Sequence, residues 1–343
     1  MADRRRVLGG IRPSGPLHIG HYAGALENWT KLQHEYDCYF LIADYQVSDL
    51  AGDIPRVRNA TWEVALDWLA IGLNPEEASF VIESSIPEHA ELMTWLAWFM
   101  PVGMLERNPT LKAEMEAIDR PGDATTKGKS VPVAFYIYPV MQAANILLPR
   151  AHLVPVGKDQ LPHIELTRET ARRFNRELKV IFPEPEALIG RAPRLLGLDG
   201  QAKMSKSRGN TIDLKDSADI VARKVRGMYA GPPRGAKEPG TVSENPVFLY
   251  LDAFDQDAAN VMDLKERYER TGVSNRELKD RLTAVLNELL EPMRERRAKY
   301  QSNTSLVREA LQQGTERARA IAQETMEMVR DALDLNYFVK RGR

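Results

Sequence analysis

The stretch GGIRPSGPLHIGH at residues 9–21 decides the fold class of this chain. The mostly apolar residues 6–11 that lead into it predict a buried β-strand, and residues 18–34 predict a helix. Pro13 and Gly15 predict a turn between these two elements. This order of strand, turn and helix places the positive N-terminal end of the helix, with its free N–H groups, where a phosphate can bind.

Two histidines open the predicted helix. His18 and His21 are three positions apart, so their side chains project from one face of the first turn. Their ring N–H groups can donate hydrogen bonds to phosphate oxygens as negative charge develops on them. A pair of structural histidines and a two-histidine metal site are the alternatives. No Cys or Glu stands at ligand spacing from the pair, so we expect no protein-ligated metal here.

The same alternation of short apolar runs and helical stretches continues to about residue 148. The further predicted elements are strands at 38–43, 79–82 and 154–157 and helices at 59–71 and 161–177. Strands separated by helices indicate βαβ units and a parallel sheet. In such a sheet, ligands bind beyond the carboxyl ends of the strands, which is where residues 12–21 would lie.

The last third of the chain predicts helices. Ser274 and Glu277 form a capping box. The apolar residues that follow share one helical face: Leu278, Leu282, Val285, Leu286, Leu289 and Leu290. Residues 305–333 predict another long helix with a weak point at Gly314. Residues 116–130 are polar and predict an exposed insertion in the first half.

Composition excludes several classes of protein. Of 343 residues, 43% are hydrophobic and 28% charged, as in globular proteins. The single cysteine, Cys38, excludes an internal disulfide and is typical of a reducing compartment. Neither a signal peptide nor a membrane span is predicted, so we expect a cytoplasmic protein. The net charge of −1 leaves any contact with RNA to local basic patches.

A second motif, KMSKS at residues 203–207, lies between Gly200 and Gly209, which predict a loop. Lysine is a compact charge on a flexible stem and can follow a departing pyrophosphate. In a mobile loop such a charge acts in the transition state. Alone, these residues would also fit an exposed linker. Together with residues 18–21, in this order, they predict an enzyme that holds ATP from two sides and makes an acyl-adenylate.

On these motifs the chain resembles class I aminoacyl-tRNA synthetases, and among them the bacterial-type tryptophanyl-tRNA synthetases. The resemblance covers nearly the whole chain, through residues 10–15, 18–21, 105–107, 138–148, 154–175 and 203–207. The HIGH motif at residues 18–21 is general to the superfamily, whereas the block VPVGKDQLPHIELTRETARRFN at 154–175 is specific to the tryptophan enzymes.

The resemblance implies ATP, Mg²⁺, L-tryptophan and tRNA(Trp) as substrates and partners of a homodimer that has no membrane attachment. The residues that it places around ATP are Arg12, Pro13, Ser14, Gly20, His21, Gly157, Lys158, Asp159, Leu195, Lys203, Met204, Ser205, Lys206 and Ser207. The residues that it makes catalytic are His18, His21, Lys112, Lys203 and Lys206. Those that would line the tryptophan pocket are Gln46, Tyr138, Gln142, Asn145 and Gln160.

The resemblance also implies a division into domains. We expect a Rossmann-like, doubly wound α/β catalytic domain at residues 1–202, with an inserted segment for connection and dimerisation. A helical domain at 203–304 would carry the KMSKS loop and read the anticodon. A C-terminal helix at 305–343 would pack back on the catalytic domain.

Four residues depart from the pattern of the family, which commonly has Gln for Arg12, His for Gln46, Met for Gln142 and Asp for Asn145. Asn145 bears most directly on the substrate. An indole N–H is a donor only, and a carboxylate accepts it more strongly than a neutral amide does. We therefore hypothesise weaker recognition of the indole or tolerance of substituted indoles, as in a divergent second copy of the enzyme.

Three alternatives remain. A tyrosyl-tRNA synthetase shares both motifs but not the block at residues 154–175. A paralogue that binds tryptophan, ATP or another protein as a sensor would not need intact HIGH and KMSKS motifs. A small-molecule nucleotidyltransferase shares the H-x-G-H pattern but does not account for the chain length or the helical last third.

Overall fold

The chain forms one parallel β-sheet. The computed structural model describes residues 4–118, 132–190, 195–201, 204, 208–233, 235 and 238–337. Within them the strands are β1 (Arg6–Ile11), β2 (Asp37–Ile42), β3 (Ala78–Ile82), β4 (Leu153–Val156) and β5 (Glu186–Ile189). They lie in the order β3-β2-β1-β4-β5, and the four neighbouring pairs are parallel. The predicted doubly wound α/β fold is confirmed.

Helices cover the sheet and form the second half of the described chain. The helix after β1 begins as α1 (Ile19–His21), continues through a π-helical turn at Tyr22–Leu26 and becomes α2 (Glu27–Glu35). The other helices are α3 (Ile54–Ile71), α4 (Glu88–Ala97), α5 (Val102–Glu106), α6 (Pro109–Ile118), α7 (Val133–Leu147), α8 (Leu161–Glu177), α9 (Ala218–Gly227), α10 (Val247–Phe254), α11 (Ala258–Arg270), α12 (Asn275–Ser302) and α13 (Thr304–Ala332). Of the helices described here, none is both long enough and apolar enough to cross a membrane.

The strand order creates one switch point. From β1 the chain adds β2 and β3 on one side, and it later adds β4 and β5 on the other. In such sheets a crevice opens beyond the carboxyl ends of the two strands where the order reverses, here β1 and β4. Residues 12–20 follow β1, and residues 157–160 follow β4. The fold therefore brings together two segments that are far apart in sequence.

The predicted helix start at Ser274 is confirmed. Ser274 Oγ accepts a hydrogen bond from the Glu277 backbone N–H at 3.1 Å, and α12 follows. Along α12, the predicted apolar face is buried except at Leu289, which is partly buried. This face packs against α3 and α9, so α12 joins the helical half to the sheet domain.

Strand β5 is one element that the sequence pattern did not predict. Its residues Glu186–Ile189 are exposed at both ends and half-buried between them. An edge strand with so little burial has neither a continuous apolar run nor a clear alternation. Its position follows instead from the pairing with β4, which joins Val154 to Ala187 and Val156 to Ile189.

Helix α13 packs against β3 and runs unbroken through Gly314. A Cβ at Gly314 would lie 2.4 Å from the backbone N and O of Phe80 in β3. The missing side chain lets the helix approach the strand closely. Arg317, one turn further, donates to Ser79 Oγ at 3.2 Å and to the Pro75 carbonyl at 2.8 Å.

Replacement of Gly314 should separate α13 from β3. We expect Gly314→Ala to lower the free energy of unfolding by about 1–3 kcal/mol, because its methyl group has no space. Urea unfolding followed by tryptophan fluorescence measures this change. The control is Gly227→Ala in α9, where a Cβ would meet no atom within 4 Å. A Gly314 variant as stable as this control would contradict the packing argument.

Candidate active site

The segment before the first histidine is fixed by hydrogen bonds to distant parts of the chain. The Leu17 N–H donates to Oδ2 of the buried Asp67 in α3 at 2.7 Å. The Ile19 N–H donates to the Ile212 carbonyl at 3.0 Å, and the Leu214 N–H donates to the Leu17 carbonyl at 2.9 Å. Residues 17–19 are therefore held between α3 and the segment that follows the second motif.

The two sequence motifs meet at Gly20. A Cβ at Gly20 would lie 3.0 Å from Met204 Sδ and 2.9 Å from His18 Nδ1. Met204 is 6% exposed and belongs to the same buried cluster as Leu17, Ile19 and Leu195. Glycine at position 20 thus lets Met204 of the second motif lie against the first helical turn. The other residues of the second motif, Lys203, Ser205, Lys206 and Ser207, lie outside the described residues.

The histidine pair is preorganised. The ring centroids of His18 and His21 are 3.8 Å apart, and His18 is buried. The His18 backbone N–H donates to His21 Nδ1 at 3.2 Å. An Nδ1 that accepts this bond carries no proton, so we assign the proton of neutral His21 to Nε2. The role of His21 as a donor to phosphate oxygens stays a prediction.

Charged and polar residues surround the N-terminal end of helix α1. Arg12 follows β1 and forms an ion pair with Asp49, with 45% of the Arg12 side chain exposed. The Ser14 carbonyl accepts a hydrogen bond from Arg56 Nη2 of α3 at 3.2 Å. Pro13 is buried, so the turn is anchored while the Arg12 guanidinium stays accessible to an anion.

The end of β4 forms the other side of the crevice. Gly157 is followed by a short 3₁₀ turn, Lys158–Gln160, in which Lys158 and Asp159 are exposed. A Cβ at Gly157 would lie 2.7 Å from Asp159 Oδ1, so glycine permits this turn. The Asp159 carbonyl accepts from Thr110 Oγ1 of α6 at 2.9 Å, and α6 also carries the exposed Lys112.

Helix α7 supplies a polar wall. Tyr138, Gln142 and Asn145 lie four and three positions apart and share one helical face. Gln142 Nε2 donates to Gln160 Oε1 at 3.4 Å, which joins the wall to the end of β4. At the other end, Asn145 Nδ2 donates to Glu83 Oε1 at 2.6 Å. The structure therefore brings these predicted pocket residues together.

Tyr138 is held by partners that the sequence analysis missed. Its hydroxyl lies 2.8 Å from His163 Nε2 and donates to Glu114 Oε2 at 2.9 Å. Burial lowers the pKa of His163 to about 4, so its ring is neutral at pH 7. Asn108 Nδ2 lies 3.2 Å from His163 Nδ1, while Asn108 Oδ1 accepts from Thr110 N–H. His163 therefore donates from Nε2 to the Tyr138 oxygen.

Glu83 is a second residue that the sequence analysis missed. It directly follows β3, at the same edge of the sheet as the turn after β1, and it is fully buried. Burial raises the pKa of Glu83 to about 7, against hydrogen bonds from Asn145, the Tyr45 N–H and Gln46. The one available signal was its position: a carboxylate immediately after the predicted strand 79–82.

The fold is that of a class I aminoacyl-tRNA synthetase. The family model described as tRNA synthetases class I (W and Y) matches residues 2–291. The chain is 43% identical to the tryptophan–tRNA ligase of Treponema pallidum over 96% of this chain and 97% of the relative. It is 42% identical to that of Chlamydia caviae over 98% and 97%. The chain therefore belongs to the class I tRNA synthetase family of the tryptophan and tyrosine enzymes.

Solved structures agree with this assignment. The tryptophanyl-tRNA synthetase of Campylobacter jejuni, complexed with ADP and tryptophan, matches with a TM-score of 0.81 and 32% identity over 96% of this chain and 100% of that one. The tyrosyl-tRNA synthetase of Archaeoglobus fulgidus, complexed with L-tyrosine, gives a TM-score of 0.64 and 25% identity over 85% and 90%.

A buried ion-pair network supports the histidine segment from behind. Asp67, which accepts the Leu17 N–H, also pairs with the buried Arg297 of α12. Arg297 Nη2 lies 2.9 Å from Glu63 Oε2, which Lys215 Nζ contacts at 2.8 Å. The network thus joins α3, α12 and the segment after the second motif to the start of the site.

Removal of Arg297 should leave the buried carboxylate of Asp67 without a compensating charge. We expect Arg297→Met to lower the free energy of unfolding by about 3–5 kcal/mol, measured by urea unfolding at pH 7. The control is Arg276→Met on the same helix, because the Arg276 side chain is 91% exposed. A difference below about 1 kcal/mol between these two variants would contradict the structural role of the pair.

Proposed function

We propose that this protein is a tryptophan–tRNA ligase, which activates L-tryptophan with ATP to tryptophanyl-AMP and transfers the acyl group to tRNA(Trp). The observation that carries the chemistry is the contact of Met204 with Gly20, since it joins both ATP motifs in one crevice. The choice of amino acid rests on identity of about 42–43% with tryptophan enzymes over the whole chain.

In the proposed reaction, the tryptophan carboxylate attacks the α-phosphorus of ATP in line, and pyrophosphate leaves. No protein nucleophile is required, so the enzyme contributes positioning and electrostatic stabilisation. His21 would donate from Nε2 to the phosphates, with the His18 ring beside it at a centroid distance of 3.8 Å and a tilt of 40°. Lys203, Lys206 and Lys112 would neutralise the charge that develops on the departing pyrophosphate.

The remaining ATP contacts are proposed for two turns and the second motif. Pro13, Ser14 and Gly20 would approach the phosphates after β1, together with Arg12. Gly157, Lys158 and Asp159 would contact the nucleotide after β4. Leu195 would meet the adenine through its backbone, and Met204, Ser205 and Ser207 would complete the second motif around ATP.

Mg²⁺ is proposed as part of the ATP substrate. Among the described residues, no group of three or more His, Cys, Asp or Glu side chains is placed to hold a metal ion. Phosphate oxygens are hard ligands that suit Mg²⁺, which commonly binds through substrate phosphates. The ion would therefore enter with the nucleotide.

The tryptophan pocket is proposed along the α7 wall. Tyr138, Gln142 and Asn145 would line it together with Gln160 and Gln46. Gln46 is linked to Asn145 through Glu83, which hydrogen bonds to both side chains. Tryptophan is the largest amino acid, so a pocket that must be filled and hydrogen-bonded can reject smaller ones without an editing site.

The helical half, residues 203–304, is proposed to read the tRNA anticodon. RNA bases are often recognised by stacking on exposed aromatic side chains. Tyr250 and Tyr268 do not fit this role, because both are buried and pack within the helical core. We therefore place the proposed anticodon contacts on other side chains of this half.

The central test is ATP–pyrophosphate exchange with tryptophan and with tyrosine in parallel, followed by aminoacylation of purified tRNA(Trp). Exchange that requires tryptophan, with charging of the tRNA, supports the proposal. Exchange with tyrosine alone would make the protein a tyrosine enzyme. Binding of tryptophan without exchange would identify a sensor.

The KMSKS lysines provide a sharper test of mechanism. We expect Lys206→Ala to lower kcat for exchange by about 10²–10³-fold, because it removes a transition-state donor. The Kd of tryptophan should change little, as measured by isothermal titration calorimetry. Lys179→Ala, at an exposed position after α8, is the control. A small effect of Lys206→Ala on kcat would exclude the transition-state role.

The homodimer is proposed on an exposed apolar surface. Trp98 after α4 is 68% exposed, Val102 of α5 is 60% exposed and Val133 of α7 is 75% exposed. Helix α7 packs against both α4 and α5, so these side chains lie at the ends of neighbouring helices. Exposed apolar groups of this size are typical of a protein interface.

A charged residue introduced into this apolar surface should dissociate the proposed dimer. We expect Trp98→Lys to convert a dimer of about 77 kDa, twice the 38.7 kDa chain, to a monomer at micromolar concentration. Size-exclusion chromatography with light scattering measures this mass. Met262→Lys, at a 63% exposed position of α11, is the control and should remain dimeric. Equal masses for the two variants would place the interface elsewhere.

A further inference from the structure

The buried carboxylate of Glu83 contacts the polar wall of α7, but Glu83 is not among the residues proposed to bind ATP or tryptophan. Its Oε1 accepts from Asn145 Nδ2 at 2.6 Å, and its Oε2 accepts from the Tyr45 backbone N–H at 2.9 Å. Gln46 adds a side-chain hydrogen bond. Both oxygens are therefore held by groups that line or adjoin the proposed pocket.

This contact fixes the orientation of the Asn145 amide. An ionised carboxylate accepts hydrogen bonds and cannot donate one, so the amide must turn its NH₂ group toward Glu83. Its other polar atom, Oδ1, then faces away from Glu83. Asn145 is 2% exposed, and among the described residues no group makes a hydrogen bond of normal geometry to Oδ1, although the His89 ring interacts with the same amide. A buried acceptor without a donor is costly unless a ligand supplies one.

We infer that Glu83 is a positioning residue for the tryptophan substrate. The Glu83 carboxylate turns Asn145 Oδ1 toward the indole N–H and strengthens this oxygen as an acceptor. This inference rests on the proposed function and deepens it. The indole N–H is a donor and satisfies the acceptor that Asn145 leaves open. A charge behind the amide polarises it, since hydrogen bonds in a chain strengthen one another. The negative charge of Glu83 thus acts on the indole N–H through the Asn145 side chain.

His89 lies against the same amide and does not compete for this role. It is 3% exposed, and burial lowers its pKa to about 3, against the effect of Asn145. Its ring is therefore neutral at pH 7 and can donate at most one N–H toward Asn145. A carbonyl oxygen has two lone pairs, so one remains for the substrate in either tautomer of His89.

The assays are best done at pH 8. Burial and the nearby Asp44 raise the pKa of Glu83, whereas hydrogen bonds from Asn145, the Tyr45 N–H and Gln46 lower it, and the balance of these effects is a pKa of about 7. At pH 8 the carboxylate form prevails. The probe is 3-(benzothiophen-3-yl)alanine, in which a sulfur atom replaces the indole N–H while the shape of the ring system is kept.

The test compares kcat/KM for tryptophan and for this analogue in ATP–pyrophosphate exchange. Wild-type enzyme should prefer tryptophan by at least about 100-fold, since a site built to bind an N–H rejects an analogue that lacks it. Glu83→Gln should reduce this ratio at least about tenfold, mainly through a higher KM for tryptophan. Without the charge, the Asn145 amide can turn and present a donor to the indole N–H.

Two further variants separate positioning from folding. Glu76→Gln makes the same change in the loop before β3, where Glu76 is exposed, and should keep the wild-type ratio. The double variant Glu83→Gln/Asn145→Asp moves the carboxylate from position 83 to position 145. The amide introduced at position 83 can then donate to that carboxylate and accept the Tyr45 N–H. We expect this swap to restore the preference for tryptophan to the wild-type level or above.

Two results would overturn the inference. One is an equal loss of kcat/KM for both substrates in Glu83→Gln, which is the signature of a structural role. The other is a double variant with a wild-type melting temperature that still fails to prefer tryptophan. The proposed function fails separately, since in that case wild-type enzyme shows no tryptophan-dependent exchange at all.

Discussion

The site depends on how residues 17–20 are held. This short segment connects a turn to a helix, and its own residues form few intrahelical hydrogen bonds. Asp67 accepts the Leu17 N–H from one side, and the backbone of residues 212–214 pairs with residues 17–19 from the other. Because the second contact comes from the chain after KMSKS, the same bonds that fix the histidines also bring Met204 onto Gly20.

Buried charge is concentrated behind this segment. Asp67 and Arg297 are both almost fully buried, and their pair extends to Glu63 and Lys215. Buried pairs are expensive to desolvate and contribute little net stability, but they tolerate few alternative arrangements. Here the pair joins α3 and α12, so the relative placement of the sheet domain and the helical half is coupled to the start of the proposed ATP site.

In the proposed amino-acid pocket, the effect of Asn145 depends on its neighbour Glu83. Considered alone, Asn145 replaces a carboxylate with a weaker acceptor, which led to the hypothesis of weaker indole recognition. The structure places the carboxylate of Glu83 against the amide at 2.6 Å. A negative charge is therefore still present next to the proposed pocket, on Glu83 behind Asn145. The hypothesis of weaker indole recognition applies to Glu83 and Asn145 together and not to Asn145 alone. It stays a prediction.

The sequence by itself determined the doubly wound fold, four of the five described strands, and the helices after β1 and at α3, α8, α12 and α13, because periodicity, capping residues and turn residues act over short distances. It also contains the two motifs of the proposed ATP site. It did not predict β5, whose edge position leaves no apolar signal, or the close approach of Gly314 to Phe80. The tertiary structure alone decided which polar groups share a buried environment: Glu83 with Asn145, His163 with Tyr138 and Asp67 with Arg297. Such pairs join residues distant in sequence, and desolvation and hydrogen bonding act on them only after the chain has folded.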